Sequence, residues 1–361
     1  MNYKSSKNKI NIFKLLTEVY DKLSKLRKKQ LNFLFIFMIF NGFAELLPLA
    51  SVIPFLAVIT NPKFLFERKI FNQIFNLFKI STEKELVTFV VLFFVITIIF
   101  AASVRLTNLF LTSIISHSIG SDISCELYKR NIYKPYALHL KSNSSEVINA
   151  ALVHVDKTVE FINASLQLFS FSIISISLLL GLFIFNFKIT LVLFFSFLIS
   201  YLFLGFKVRK KLLANSNISV NSTNLQIKLL RESFGSIRDT IINGSQQIYL
   251  KIFRSLDIPL KRALAENKFL YSAPRFALEA IGLILIATIA YFITLNDSVN
   301  KIEPITILGT IGLGAQRLLP AVQGIYLSWA QINSLSASGR KTIDLLDMPI
   351  EKSNIIHTKR P

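Results

Sequence analysis

The chain holds one cysteine, Cys125, which excludes an intrachain disulfide and a thiolate metal site. Its four histidines, His117, His139, His154 and His357, stand without ligand spacing, so no metal is assigned to them. A G-x-x-x-x-G-K stretch followed by Ser or Thr is absent, and with it the backbone cradle that holds ATP phosphates. The glycines that do cluster, Gly309, Gly312 and Gly314, lie inside an apolar run and lack the lysine. No Ser/His/Asp set, carboxylate pair or metal box is evident. The chain by itself is therefore not expected to be an enzyme, and it is assigned no catalytic residue and no cofactor. Acidic residues are scarce too, 21 against 41 Lys and Arg, for a net charge of +20. Such a balance often marks a nucleic-acid partner. Here long Phe, Leu and Ile runs leave no soluble core to present a basic patch, so nucleic acid is not expected.

Helix breakers are also few. No proline occurs between Pro62 and Pro135, or between Pro135 and Pro259, and the second interval has only four glycines. Without those breakers helices are expected to run on. A continuous helix from Leu86 to Lys134 would measure about 73 Å at 1.5 Å per residue, over twice the ~30 Å hydrocarbon thickness. Two helical hairpins projecting deep into the cytoplasm follow from this reading.

What is abundant is apolar surface. Of 361 residues 52% are hydrophobic, and 33 are Phe. Runs of spanning length occur at about 31–60, 86–116, 161–185, 187–206, 276–295 and 304–332. The expected fold class is an all-α membrane protein of six transmembrane helices with long cytoplasmic extensions. Six spans put both termini on one side. On that topology 32 Lys and Arg fall in 1–30, 117–160, 207–275 and 333–361, and seven in 61–85, 186–188 and 296–303. The bias places the former segments, and both termini, in the cytoplasm of a multi-pass plasma (bacterial inner) membrane protein. Ahead of the first span, residues 1–30 carry nine Lys and Arg. Ile12, Leu15, Leu16, Val19 and Leu23 there are spaced for an amphipathic helix on the membrane surface. Residues 1–9 read as a solvated tail.

Four stretches share an order and spacing with a known group. They are Cys125–Leu140 (CELYKRNIYKPYALHL), Ser145–Val159 (SEVINAALVHVDKTV), Glu232–Gln246 (ESFGSIRDTIINGSQ) and Pro320–Asp347 (PAVQGIYLSWAQINSLSASGRKTIDLLD). Over residues 15–346 the chain resembles the transmembrane domain of ABC exporters. Glu45…Pro54-Phe55, Pro274-Arg-Phe-Ala-Leu-Glu279 and Gln316-Arg-Leu-Leu-Pro320 are most similar to lipid-linked oligosaccharide flippases and polysaccharide exporters. The segment 64–78, with Ile70, Phe71, Ile74, Leu77 and Phe78, resembles an external amphipathic helix of that group. The resemblance implies an N-terminal elbow region at 1–30, a six-helix transmembrane domain at 31–346, and a tail at 347–361 where a nucleotide-binding domain would begin. It implies coupling helices that dock on such a domain, with Pro135, Tyr136, Leu138 and His139 in the first and Gly235, Arg238 and Asp239 in the second. It further implies a homodimer in membrane lipid, a lipid-linked substrate, and a separate ABC ATPase subunit that carries ATP and Mg. Open alternatives are an exporter of peptide or another lipid, an ATP-independent flippase or channel, and an inactive fragment of a split gene.

An ionisable residue inside a span usually faces a cavity or a partner. Helical rise puts Arg105 roughly 28 Å below the outer end of the second run and Arg317 roughly 20 Å down the sixth. Arg275 and Glu279 open the fifth run from inside and share a helix face at i,i+4 spacing. Glu45, about 21 Å up from the cytoplasm, is read as nearer the outer half. In one reading Arg105, Arg275 and Arg317 line a cavity and attract a diphosphate, which guanidinium forks grip bidentately. In the other, Arg275 pairs with Glu279 and Arg105 reaches water along its helix. Glu45 either bonds a neighbouring span or touches polar substrate. Pro48 and Pro54 are expected to kink the first span, and the glycines at 309, 312 and 314 to admit a neighbouring helix closely.

Overall fold

A computed structural model of the chain describes residues 12–60, 82–133, 153–185, 187–295 and 302–347. Among these residues all regular structure is helical and no strand occurs. The helices are α1 (Ile12–Lys22), α2 (Lys25–Ala44), α3 (Leu46–Thr60), α4 (Glu83–Ile132) and α5 (Val155–Phe185), followed by α6 (Phe187–Gly235), α7 (Ile237–Ile242), α8 (Gln246–Leu295) and α9 (Ile302–Leu346). Three stretches, Lys25–Ile59, Glu83–Ile132 and Val155–Ile184, are long and apolar enough to cross a membrane. The runs expected at 187–206, 276–295 and 304–332 fall in α6, α8 and α9, many of whose side chains there lie outside the described residues. Outside them too are residues 1–11, the segment 64–78, the coupling candidates Pro135, Tyr136, Leu138 and His139, and the tail 348–361.

The scarcity of breakers shows in the helix lengths. The 50 residues of α4 rise about 75 Å without interruption. Its start is fixed by a reciprocal cap, in which Thr82 Oγ1 accepts from the Glu85 amide and Glu85 Oε2 accepts from the Thr82 amide. Glu83 and Glu85 in its first turn and Lys129 and Arg130 in its last complement the helix dipole. The first apolar run, by contrast, is two helices. Its break falls at Glu45, and Pro48 sits in the first turn of α3. Proline has no amide proton for the carbonyl at residue 44, and its ring crowds that carbonyl, so the chain restarts just ahead of it. Pro54 is carried inside α3.

Packing differs along the length of the helices. Between apolar helices in lipid no hydrophobic effect drives contact, so close approach must supply it. Gly42 of α2 is such a point: a Cβ there would lie 2.7 Å from Ile173 Cγ2 and 2.8 Å from Ser177 Oγ. Beyond the apolar run, Gly120 of α4 faces Val159 of α5 more tightly still, within the core that α1 also joins. Of the glycines in α9, Gly314 abuts Leu182 and Gly312 has open space around it, while the surroundings of Gly309 lie outside the described residues. At the end where α9 terminates, α1 joins a core with Phe161, Ile343 and Leu346. Leu15 and Val19 are buried in that core, and Ile12, Leu16 and Leu23 pack against it. The periodicity of α1 thus marks its apolar face correctly, but the face covers protein rather than a lipid surface. Glu18–Arg340 at 2.7 Å and Lys22–Asp347 at 2.5 Å hold its polar side to α9.

Gly120→Leu should force α4 and α5 apart against the stiff Val159, destabilising the protein by about 1–3 kcal/mol. Thermal unfolding of the detergent-purified chain checks this, and an unchanged melting temperature would contradict the contact.

A candidate ligand cavity around Glu45

The break between α2 and α3 leaves Glu45 pointing inward, where its side chain is 0% exposed. A lone carboxylate cannot remain charged in such a place without partners. It has two. Arg105 of α4 reaches Oε1 with Nη2 at 2.5 Å and Nε at 2.7 Å. Arg317 of α9 donates from Nη1 to Oε2 at 2.9 Å. The partners differ in access: the Arg105 side chain is 55% exposed and that of Arg317 26%. Two guanidinium cations on one carboxylate leave one positive charge over, on the exposed Arg105 side.

This cluster forms part of the wall of an open cavity of about 610 Å³ lined by α2, α3, α4, α5 and α9. Its lining is mixed: Asn41, Asn108, Gln167, Ser170 and Gln316 join the ionic cluster as polar groups, and Leu49, Val52, Phe94, Ile98, Leu109 and Phe171 supply apolar surface. Asn108 donates to Ser170 Oγ at 2.8 Å, but its own Oδ1 has no partner. Asn41, fully buried, has no partner at either amide atom. An orphaned buried amide atom costs about 1–3 kcal/mol.

The structure thus joins three of the sequence candidates, Glu45, Arg105 and Arg317, and leaves two elsewhere. Arg275 pairs with Glu279 at 3.0 Å on α8, and neither lines this cavity. The depth count is corrected as well, for it put Glu45 in the outer half and the arginines in the inner half. They are in direct contact. The helices differ in length, with 20 residues in α2, 15 in α3, 50 in α4 and 45 in α9, so counting from the ends of apolar runs has no common origin. Asn41, Asn108, Gln167 and Ser170 were not singled out from sequence. Their signal was a helical one: Asn41 lies one turn before Glu45 and Asn108 one turn after Arg105, each a polar residue repeated on a charged face.

A second surface lies at the tip of the hairpin formed by α6 and α8. Gly235 ends α6, and α7 carries the exposed Arg238 and Asp239. The turn closes on Gly244 at φ 59°, with Gly244 N donating to Ile241 O and Ser245 N to Thr240 O. Around it Phe234, Ile237, Ile241, Ile242 and Ile248 are exposed together. Polar contacts connect the shaft of this hairpin to α9. Asn215 donates to Asn267 Oδ1 at 2.9 Å, and Asn267 donates to Ser334 Oγ at 2.8 Å. Beside them Glu266 accepts from Lys211 at 3.1 Å and from Asn215 at 3.2 Å. Those bonds, Lys211 first, hold the Glu266 carboxyl below its usual range. No protein-family model matches the chain.

Glu45→Ala strands two guanidiniums and should destabilise the protein by about 3–5 kcal/mol, whereas Arg105→Ala leaves a balanced Glu45–Arg317 pair and should cost about 1–2. Chemical denaturation of the two variants tests the order. The carboxyl of Glu266 has its folded pKa lowered, so its contribution is complete above the ordinary 4.5 and fades as pH falls below that value. Glu266→Gln should therefore melt lower than wild type near neutrality, and the two melting temperatures should converge in acid.

Proposed function

We propose that the chain is the six-span membrane subunit of an ATP-driven exporter of the ABC class. In this reading it sits in the plasma (bacterial inner) membrane with both termini cytoplasmic, works as a homodimer, and moves a lipid-linked saccharide or related envelope precursor. A separate ATPase supplies ATP and Mg chemistry. The observation that carries the proposal is the Glu45–Arg105–Arg317 cluster on the wall of a cavity that also exposes apolar side chains such as Leu49, Phe94 and Leu109. A lipid diphosphate has the same two-part character. Its charged head is drawn to guanidinium forks, and its tail stays against apolar side chains.

The rest of the chain supports the mechanical half of the reading. Helices α4, α6 and α8 are each about 75 Å long by helical rise, which leaves long portions beyond a ~30 Å hydrocarbon core. The exposed apolar group at Phe234, Ile237, Ile241 and Ile242 is the surface on which the ATPase would seat. Movement imposed there passes up the hairpin and through the Asn215–Asn267–Ser334 contacts to α9, which carries Arg317. The break at Glu45 lets α2 bend against α3 as the cavity turns from one face of the membrane to the other.

Reconstitution of the chain with its ATPase in proteoliposomes should give ATP-dependent translocation of a labelled lipid-linked oligosaccharide. Arg317→Ala should reduce that rate by about 100-fold or more while the protein still inserts. Translocation that persists without nucleotide would refute the motor, and full activity of the variant would remove Arg317 from the transport path.

A further inference from the structure

We propose that Glu45 is a built-in stand-in for the phosphate of a ligand, and that Arg105 is the arm that leaves Glu45 to take the ligand's anionic group. The inference rests on reading the cavity as a ligand site and adds how that site holds itself when empty. Glu45 is completely buried, so it stays where it is. Arg317 is mostly covered and binds the opposite carboxylate oxygen. Arg105 is more than half exposed, and its guanidinium borders the cavity. When it departs, Glu45 and Arg317 remain as one anion and one cation, a neutral buried pair. The surplus positive charge goes with Arg105 to the ligand. No buried charge is left unpaired at either stage, which is the condition that permits such an exchange.

A second observation points to the same place. Asn41 and Asn108 lie one turn from Glu45 and Arg105 respectively, both are nearly or fully buried, and both line the cavity. Both amide atoms of Asn41 and Oδ1 of Asn108 have no partner. Their donors and acceptors suit hydrogen-bonding groups attached beside a phosphate. The ligand class is therefore a phosphate or diphosphate ester with polar substituents next to the anion. Because bound anion and Glu45 compete for Arg105, occupancy also loosens α4 from the α2/α3 break. The empty cavity is the clamped state, and the filled one is free to move.

The test is made on the full chain in detergent micelles, without nucleotide or ATPase, by titrating inorganic pyrophosphate and, separately, farnesyl diphosphate. Glu45→Gln removes the competitor and should bind pyrophosphate about tenfold or more tightly than wild type, a change of about 1.4 kcal/mol. Arg105→Gln should weaken binding by about tenfold or more. Farnesyl diphosphate binding well above pyrophosphate assigns the ligand to lipid phosphates whose tails contact apolar lining residues such as Phe94 and Leu109; equal affinities assign it to the phosphate group alone. Equal pyrophosphate affinity in Glu45→Gln and wild type, or undiminished binding in Arg105→Gln, overturns the exchange. Should Glu45→Gln fail to fold, Arg105→Gln decides by itself. Absence of ATP-driven transport would leave this result standing, and loss of the exchange would leave transport measurable.

Discussion

Glu45 is a single carboxylate held by two arginines from helices far apart in sequence, and the arrangement of the cavity follows from it. A charge in the interior of a membrane protein is tolerated only when neutralised nearby. Residues 45, 105 and 317 are consequently drawn to one point, which brings α4 and α9 to the place where α2 ends and α3 begins. The break itself is a local matter, set by a proline that lacks an amide proton. What lies around the break is a matter of charge. The two constraints meet at one residue, and the cavity-lining Asn41 lies one turn before it.

The interactions above and below this point are of different kinds. Where the helices are most apolar, contact depends on small residues such as Gly42 and Gly314 and on bonds between polar side chains. Ser51 and Thr97 meet at 2.9 Å between α3 and α4, and Asn108 meets Ser170 between α4 and α5. Bonds of this kind contribute about 0.6 kcal/mol each between membrane helices. At the end shared by α1 and the last turns of α9, burial of Leu15, Val19, Ile343 and Leu346 from water takes over. There Thr158 and Thr342 bond at 2.8 Å, and Arg130 donates to the Leu346 carbonyl.

Much of the architecture was legible in advance. The rarity of proline and glycine announced helices of about 50 residues, and α4 runs within a few residues of the expected limits. The apolar face of α1 was visible at i, i+3 and i+4, and the i,i+4 pairing of Arg275 with Glu279 was one of the two readings offered by their spacing. The cavity was only half visible. Arg105, Arg317 and Glu45 stand out because charge is conspicuous in an apolar run. Asn41 and Asn108 do not, since an amide there is as often a contact between helices as a ligand group.

By itself the amino-acid order determined the helices, their lengths, the three apolar stretches that could cross a membrane, and the charged residues embedded among them. These depend on propensity, breakers and periodicity, which act over a few neighbouring residues. Tertiary structure alone decided that Glu45 is shared rather than singly paired, that it lies level with both arginines, that α1 covers protein, and that both side-chain amide atoms of Asn41 and the Oδ1 of Asn108 are buried without a partner. Partner choice depends on how helices of unequal length are offset along one another and which of them are neighbours. A repeat of 3.6 residues carries the direction of a side chain around its own helix, and nothing about either.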